Sequence, residues 1–305
     1  MTREPRPGRA AYISPFRYPG GKTWFVPAFR LWLQQTVGIG IRVVEPFAGG
    51  ASVSLAMLAE GRAKKAHLIE KDDAVRNVWW ALSLGLADKI IEVLERETES
   101  EERAREFLQE PILIGAVSAR AAAQTILLNR LSYSGVMTRG AGLMAGGENG
   151  RGLFSRWYPE TIYDRLRRID GMRHRLVVPP RDTDGVAVLR AAAEFPSLET
   201  VARHVFFIDP PYEGPGRRLY HEHDVSTAEV ITLTSGLKLP AIMTLPAEDW
   251  IIDLGDIHGL SMVVIPMRGS HGKRKELILS NQTVGGLVQA GIAQSLRDFM
   301  MEGRV

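Results

Sequence analysis

The chain has 305 residues, of which 45% are hydrophobic and 24% charged, an ordinary balance for a soluble globular protein able to bury a sizeable core in two lobes. It contains no cysteine, which excludes disulfides, thiolate metal sites and a cysteine nucleophile. A net charge of +3 with a pI near 9.2 fits a polyanionic partner, while the polar, basic start from Met1 to Ala10 and the lack of a bilayer-length apolar run lead us to expect no signal peptide, no membrane span and a cytoplasmic protein.

Residues 1–11, rich in Arg, Pro and Gly, read as a flexible N-terminus. Tyr18-Pro19-Gly20-Gly21-Lys22 follows, then a helical pattern from Trp24 to Val37. A Gly-Gly-Lys at a helix entrance can cradle a phosphate or a carboxylate, although the spacing is not that of a Walker A loop and a simple turn gives the same letters. Ile41 to Val44 reads as a strand that leaves through Glu45-Pro46-Phe47-Ala48-Gly49-Gly50 into a helix over Val53 to Glu60. Glycines at a first strand-to-helix turn let a ligand approach the backbone, and without the dinucleotide pattern a nucleoside-like ligand is expected. A second strand, Ala66 to Ile69, ends in Glu70, which can accept hydroxyl protons from a ribose; alternatively Glu70 or Asp72 caps the helix over Ala74 to Leu84.

From residue 85 to 175 helical patterns replace strands, so we expect a helical lobe inserted between two parts, 12–84 and 176–305, of one catalytic domain. Within it lie Asn129-Arg130, Tyr133, Arg139, a Gly-rich stretch from Gly140 to Gly152, and a basic cluster including Arg165 and Arg168 that suits phosphates or a solvated helix face. Strand character returns at Leu176 to Val178, then at Val205 to Ile208, Ala241 to Thr244, Ser261 to Ile265 and Lys275 to Asn281, the last two joined as a hairpin through Gly269 to Arg274. Val284 to Val305 reads as one amphipathic helix with Val288, Ile292, Leu296 and Phe299 on one side.

The strand over Val205 to Ile208 delivers Asp209-Pro210-Pro211-Tyr212 to its carboxyl end, where open α/β sheets bind ligands. The prolines fix φ and remove two backbone donors, which frees the Asp209 and Pro210 carbonyls to act as outward acceptors beside the Asp209 carboxylate. Acceptors next to the flat Tyr212 ring suit a planar heterocycle with an exocyclic amine. The same letters also fit a strand that ends in a Pro-rich turn with a capping aspartate. The seven histidines show no metal-ligand spacing, and His221 and His223 read as loop residues, so no metal is expected.

Three of these stretches, Tyr18-Pro19-Gly20-Gly21-Lys22, Glu45 to Gly50 and Asp209 to Tyr212, resemble in this order the motifs of the Dam-like DNA adenine-N6 methyltransferases, with Asn129-Arg130, Tyr133 and Gly135 and the strand Lys275 to Ile278 followed by Asn281 in support. The resemblance implies a Rossmann-like α/β methyltransferase sheet with an inserted helical DNA-recognition lobe. It also implies S-adenosylmethionine as cofactor, double-stranded DNA as partner and a monomer that extrudes its target base. Glu45, Pro46, Phe47, Ala48, Gly49 and Gly50 would line the cofactor pocket, Glu70 would hold the ribose, and Tyr18, Gly20, Gly21, Lys22 and Asp209 would close it. Asp209, Pro210, Pro211 and Tyr212 would receive adenine; Asn129, Arg130, Tyr133, Arg139, Arg165 and Arg168 would contact DNA. Many family members carry Trp-Ala at Tyr18-Pro19 and Asp at Glu70, and the family's Phe-Asn-Val-Pro loop signature is absent. The recognised site, a companion restriction endonuclease, cytosine N4 as the target and a catalytically silent DNA-binding protein all remain open at this level.

Overall fold

A computed structural model describes residues 12–17, 21–112, 115–133, 142–143, 146–147, 150, 152–194, 203–211, 225–269 and 272–302. The hydrophobic runs become eight strands: β1 Ile41–Glu45, β2 Ala63–Leu68, β3 Leu176–Val177, β4 His204–Ile208, β5 Ala241–Pro246, β6 Ser261–Gly269, β7 Gly272–Ser280 and β8 Gln294–Ser295. They form one sheet in the order β3-β2-β1-β4-β5-β7-β6-β8. β1 to β5 pair in parallel, and β7 inserts antiparallel between β5 and β6. The chain order therefore reverses between β1 and β4, and the crevice at their carboxyl ends is where a doubly wound, Rossmann-like sheet offers a ligand site.

Twelve helices are described: α1 Val26–Thr36, α2 Ser52–Ala59, α3 Asp73–Ser83, α4 Ala87–Glu97, α5 Glu101–Gln109, α6 Ala119–Leu131, α7 Pro159–Asp170, α8 Gly185–Glu194, α9 Thr227–Gly236, α10 Asp249–Ile257, α11 Gly285–Gln289 and α12 Leu296–Glu302. Their starts follow from local chemistry. Ser100, Ser118 and Ser226 accept from the first turns of α5, α6 and α9, and Asp72 accepts from Ala74 and Val75 at the head of α3. Of the described helices none is long and apolar enough to cross a membrane.

Alternation along β4 sorts its side chains between two cores. Val205 and Phe207 join the layer of α1, α2 and α3, whereas Phe206 and Ile208 join that of α8, α9 and α10. Phe207 stacks on Phe25 at 5.5 Å between centroids and meets Phe29 edge-on at 5.7 Å, a buried pair of contacts each worth about 0.5–1.5 kcal/mol beyond area burial. The segment from α4 to α7 is helical, and its Ile90, Leu94, Phe107, Ile126, Ile162 and Leu166 belong to the same core as Trp79 and Val43. It is thus a helical layer fused to the sheet rather than a lobe with a core of its own.

The C-terminal tail differs from the single helix that its periodicity predicts. Gly291 adopts φ 69 and ends the first piece, and Gln294 and Ser295 then pair with β6 before α12 begins. Val288 and Ile292 pack on one core while Leu296 and Phe299 pack on the other, so the apolar residues mark two contacts on either side of a bend.

Gly185 opens α8 directly under the β1 turn, where an added Cβ would lie 2.1 Å from the Pro46 carbonyl oxygen. Because the obstacle is backbone, Gly185→Ala is expected to destabilise the protein by about 1–3 kcal/mol, read as a lower urea midpoint. An unchanged midpoint would show that the turn yields freely.

Candidate active site

The site grows from the ends of β1, β2, β4 and β5. Glu45, the last residue of β1, is 2% exposed, and its Oε1 accepts the Ser54 amide at 2.7 Å. Enclosure raises its pKa to about 8; hydrogen bonds from Ser54 pull the other way, and the nearby Asp209 charge adds to the rise. After it the chain turns tightly: Ala48 donates to Ile69 O at 2.9 Å, Ala51 donates to Ala48 O at 2.6 Å, and Gly49 and Ala51 take φ of 44 and 49. A side chain at Gly49 would be strained, and Ala51 carries such strain at the head of α2.

Glu70, just beyond β2, braces this turn. One carboxyl oxygen accepts the Gly49 amide at 2.7 Å and the other accepts the Asp72 amide at 2.9 Å. Asp72, not Glu70, caps α3. Burial raises the Glu70 pKa to about 7, with a further push from the Asp72 carboxylate, against the amides of Asp72, Gly49 and Lys71. The Trp79 indole donates to Gly49 O at 2.9 Å and fixes the following peptide, so both backbone groups of Gly49 are held.

Asp209 follows β4 directly. Lys22 Nζ lies 2.9 Å from its Oδ1 with only 5% of the lysine side chain exposed, and Thr244 Oγ1 on β5 donates to the same oxygen at 2.8 Å. Two fixed donors on one oxygen set the rotation of the carboxylate. Pro210 is buried and Pro211 half-buried behind it. The first helical turn, Lys22–Phe25, thus joins the Gly-Gly-Lys stretch to the Asp-Pro-Pro stretch, 187 residues later in the chain, since 209 minus 22 is 187. Thr244 was not singled out in the sequence. A buried threonine near the carboxyl end of the strand beside β4 is the signal that could have found it.

The structure brings together Gly21, Lys22, Glu45, Pro46, Phe47, Ala48, Gly49, Gly50, Glu70, Asp209 and the two prolines at one edge of the sheet. Tyr18, Gly20, Tyr212, Arg139, His221, His223 and residues 1–11 lie outside the described residues, as does most of the Gly-rich stretch. Two of the expected DNA contacts are corrected. Asn129 is fully buried and clasps the Arg17 backbone, accepting its amide at 2.7 Å and donating to its carbonyl at 3.0 Å. Arg130, 5% exposed, donates to Pro15 O at 3.0 and 2.6 Å, and burial, followed by the charge of Arg165, lowers its pKa to about 10. Arg165 donates to Ser14 O at 3.1 Å and lies over the Tyr12 ring at 4.3 Å. These side chains hold the arm 12–17 that leads to Lys22, so Asn129 and Arg130 reach no phosphate. Tyr133, 60% exposed, and Arg168, which faces Asp164 at 4.0 Å, remain on the surface.

No protein-family model matches the chain, and no curated protein matches it. Among solved structures it is similar to an rRNA methyltransferase, aviRa from Streptomyces viridochromogenes, at 14% identity over 88% of each chain with a TM-score of 0.43. A second structure of that protein matches at 14% identity over 90% of this chain and 92% of the other, with a TM-score of 0.40. Likenesses this distant carry no argument about the chemistry of this chain.

The acid corner generates two predictions. A carboxyl whose folded pKa lies above its unfolded value binds its proton more tightly when folded, so the stability it confers is complete below about 4.5 and is lost as pH rises through about 8. Glu45→Gln should therefore remove a pH-dependent loss on the order of a few kcal/mol between those limits, seen as a flatter profile of melting temperature against pH. Parallel profiles would place the proton elsewhere. Asn129→Ala, which strands the Arg17 amide and carbonyl, should cost about 2–3 kcal/mol in urea unfolding, and a surface role would cost almost nothing.

Proposed function

We propose that the chain is an S-adenosylmethionine-dependent methyltransferase that acts on the N6 amine of an adenine turned out of double-stranded DNA, as the Dam-like resemblance implies. The observation that carries this reading is the meeting, at the β1/β4 switch point, of a glycine turn braced by Glu70 with an Asp209 carboxylate held by Lys22 and Thr244.

The residues present fit the cofactor. Each Glu70 oxygen spends one lone pair on an amide and keeps another for a ribose hydroxyl. Gly49 at φ 44 has no Cβ to hinder close approach of a ligand to the backbone there. When bound, S-adenosylmethionine supplies an activated methyl on a sulfonium, so the chain's own task is positioning.

Asp209 and the Pro210 carbonyl would accept the two N–H groups of the exocyclic amine, directing the nitrogen lone pair away from the ring. The carboxylate would stabilise positive charge as it develops on that nitrogen, with Lys22 and Thr244 keeping it from swinging away. Proline at both following positions removes donors that would compete for these acceptors. Extruding the nucleotide costs roughly a few kcal/mol, which stacking against an aromatic ring such as Tyr212 would offset.

The test separates the two halves of the site. Asp209→Ala should abolish tritiated-methyl transfer to DNA while leaving S-adenosylmethionine binding within a few-fold. Glu70→Ala should weaken that binding by about tenfold or more, the value of one or two charged hydrogen bonds. Chromatography of digested product should show N6-methyladenine. N4-methylcytosine in its place would overturn the assigned target, and turnover by Asp209→Ala would remove Asp209 from its role.

A further inference from the structure

The hairpin of β6 and β7 outgrows the sheet on the side where Asp209 stands. β5 ends at Pro246, which pairs with Glu276. Beyond that level Pro266 pairs with Lys275, Met267 with Arg274, Arg268 with Lys273 and Gly269 with Gly272, and among the described residues no third strand joins them. β5 is parallel to β4, so this two-stranded ribbon continues past the carboxyl ends of both. Thr244, the donor to Asp209, pairs with Ile278. Lys273 is five residues farther along β7, since 278 minus 273 is 5, on the order of 17 Å beyond the level of Asp209. β7 lies two strands over from β4, about 10 Å to the side. The ribbon therefore flanks the rim of the corner rather than lining it.

Charge is graded along this ribbon. Acids stand at its root: Glu276 is level with the end of β5, and the loop after β5 carries Glu248, which accepts from the Trp250 indole at 2.7 Å, and Asp249. Ala247 of that loop donates to Lys275 O at 3.3 Å. From Pro266 to Lys275 the sequence holds Arg268, Lys273, Arg274 and Lys275 and no acid. The Lys275 ammonium lies over the Phe299 ring of α12 at 4.5 Å, which ties the root to the tail helix. Arg268 and Lys273 occupy directly opposite positions, where like charges weaken strand pairing. A polyanion held at the tip turns that repulsion into attraction. Lysine at an open edge also deters strand addition between copies, a role with a different signature in solution.

We propose that the tip of this ribbon, at Arg268, Lys273 and Arg274, grips the phosphate backbone of the DNA duplex beside the base delivered to Asp209. The assignment rests on the reading of the chain as a DNA methyltransferase given above. Phosphate contacts fix the register and orientation of a duplex without reading its sequence. A grip on this flank holds the backbone in place while one nucleotide leaves the stack, and the acids at the root confine the phosphates to the tip.

Anisotropy of a fluorescent DNA duplex titrated with the full chain across a salt series, with no methyl donor present, tests this directly. Lys273→Gln combined with Arg274→Gln should weaken binding about tenfold or more and make the slope of log affinity against log salt shallower by about 2, the value of two phosphate contacts. Lys64→Gln combined with Lys238→Gln removes the same charge from exposed positions at the opposite edge of the sheet and should leave the slope as it was. An unchanged melting temperature and unchanged S-adenosylmethionine binding establish that the ribbon variant is folded. Equal losses in the two double variants would reduce the effect to net charge and overturn the grip. Unaltered DNA affinity in the ribbon variant, with new aggregation, would assign the lysines to edge protection instead. Tighter binding of an RNA duplex of the same sequence would overturn the choice of DNA. Product chromatography reports on the chemistry separately: N6-methyladenine formed with an unchanged salt slope sinks the ribbon alone, and a shallower slope without N6-methyladenine sinks the catalytic reading alone.

Discussion

The buried pair between Lys22 and Asp209 is the constraint on which the arrangement of this site depends. Removing an ammonium and a carboxylate from water costs several kcal/mol per ion, and only a close, well-supported partner recovers it. Lys22, 5% exposed, has that partner in Asp209 at 2.9 Å. The pair therefore tolerates little displacement of either backbone, and each backbone is held independently. Asp209 follows a strand buried on both faces, while Lys22 begins the turn into α1, whose Phe25 and Phe29 pack on Phe207 of that strand. Loss of Asp209 would take the carboxylate from beside a lysine side chain that is only 5% exposed, whereas loss of Lys22 would leave Asp209, 24% exposed, still bonded to Thr244.

Around this pair the electrostatics are arranged by burial. Glu45, Glu70 and Asp209 crowd one edge of the sheet. With Glu45 raised to about 8 and Glu70 to about 7, they do not all bear full charge at neutral pH. Burial thus holds the two glutamates toward their neutral forms, while Asp209 at the neighbouring strand sits against the Lys22 ammonium and the Thr244 hydroxyl.

What could be read from the sequence, and what could not, divides along the range of the interactions. Val205 to Ile208 declares itself a buried strand by composition, and Asp209 lands at its end because prolines cannot continue it. Gly49 marks its turn because few other residues take φ 44. Long-range partners were not legible. Asn129 and Arg130 look like surface ligands in a polar stretch, yet α6 turns them inward onto Arg17 and Pro15, more than a hundred residues earlier. The contact of Thr244 with Asp209 exists only once register is set, and register between parallel strands joined by helices leaves no short-range trace. In the tail, helical spacing carries no sign that Gly291 bends the chain between two cores.

The same long-range ties explain why the helical segment belongs to the site rather than beside it. Trp79 donates to Gly49 O and packs edge-on against Phe16 at 5.5 Å, while the arm around Phe16 is gripped by Asn129, Arg130 and Arg165. Two residues away Asn77 exchanges hydrogen bonds with Ser118, the cap of α6. The β1 turn, the arm that carries Lys22 and the head and tail of α6 are therefore linked through one packed core. The helical segment and the β1 turn are thus parts of one close-packed interior, and the position of Trp79 within it fixes where the Gly49 carbonyl stands.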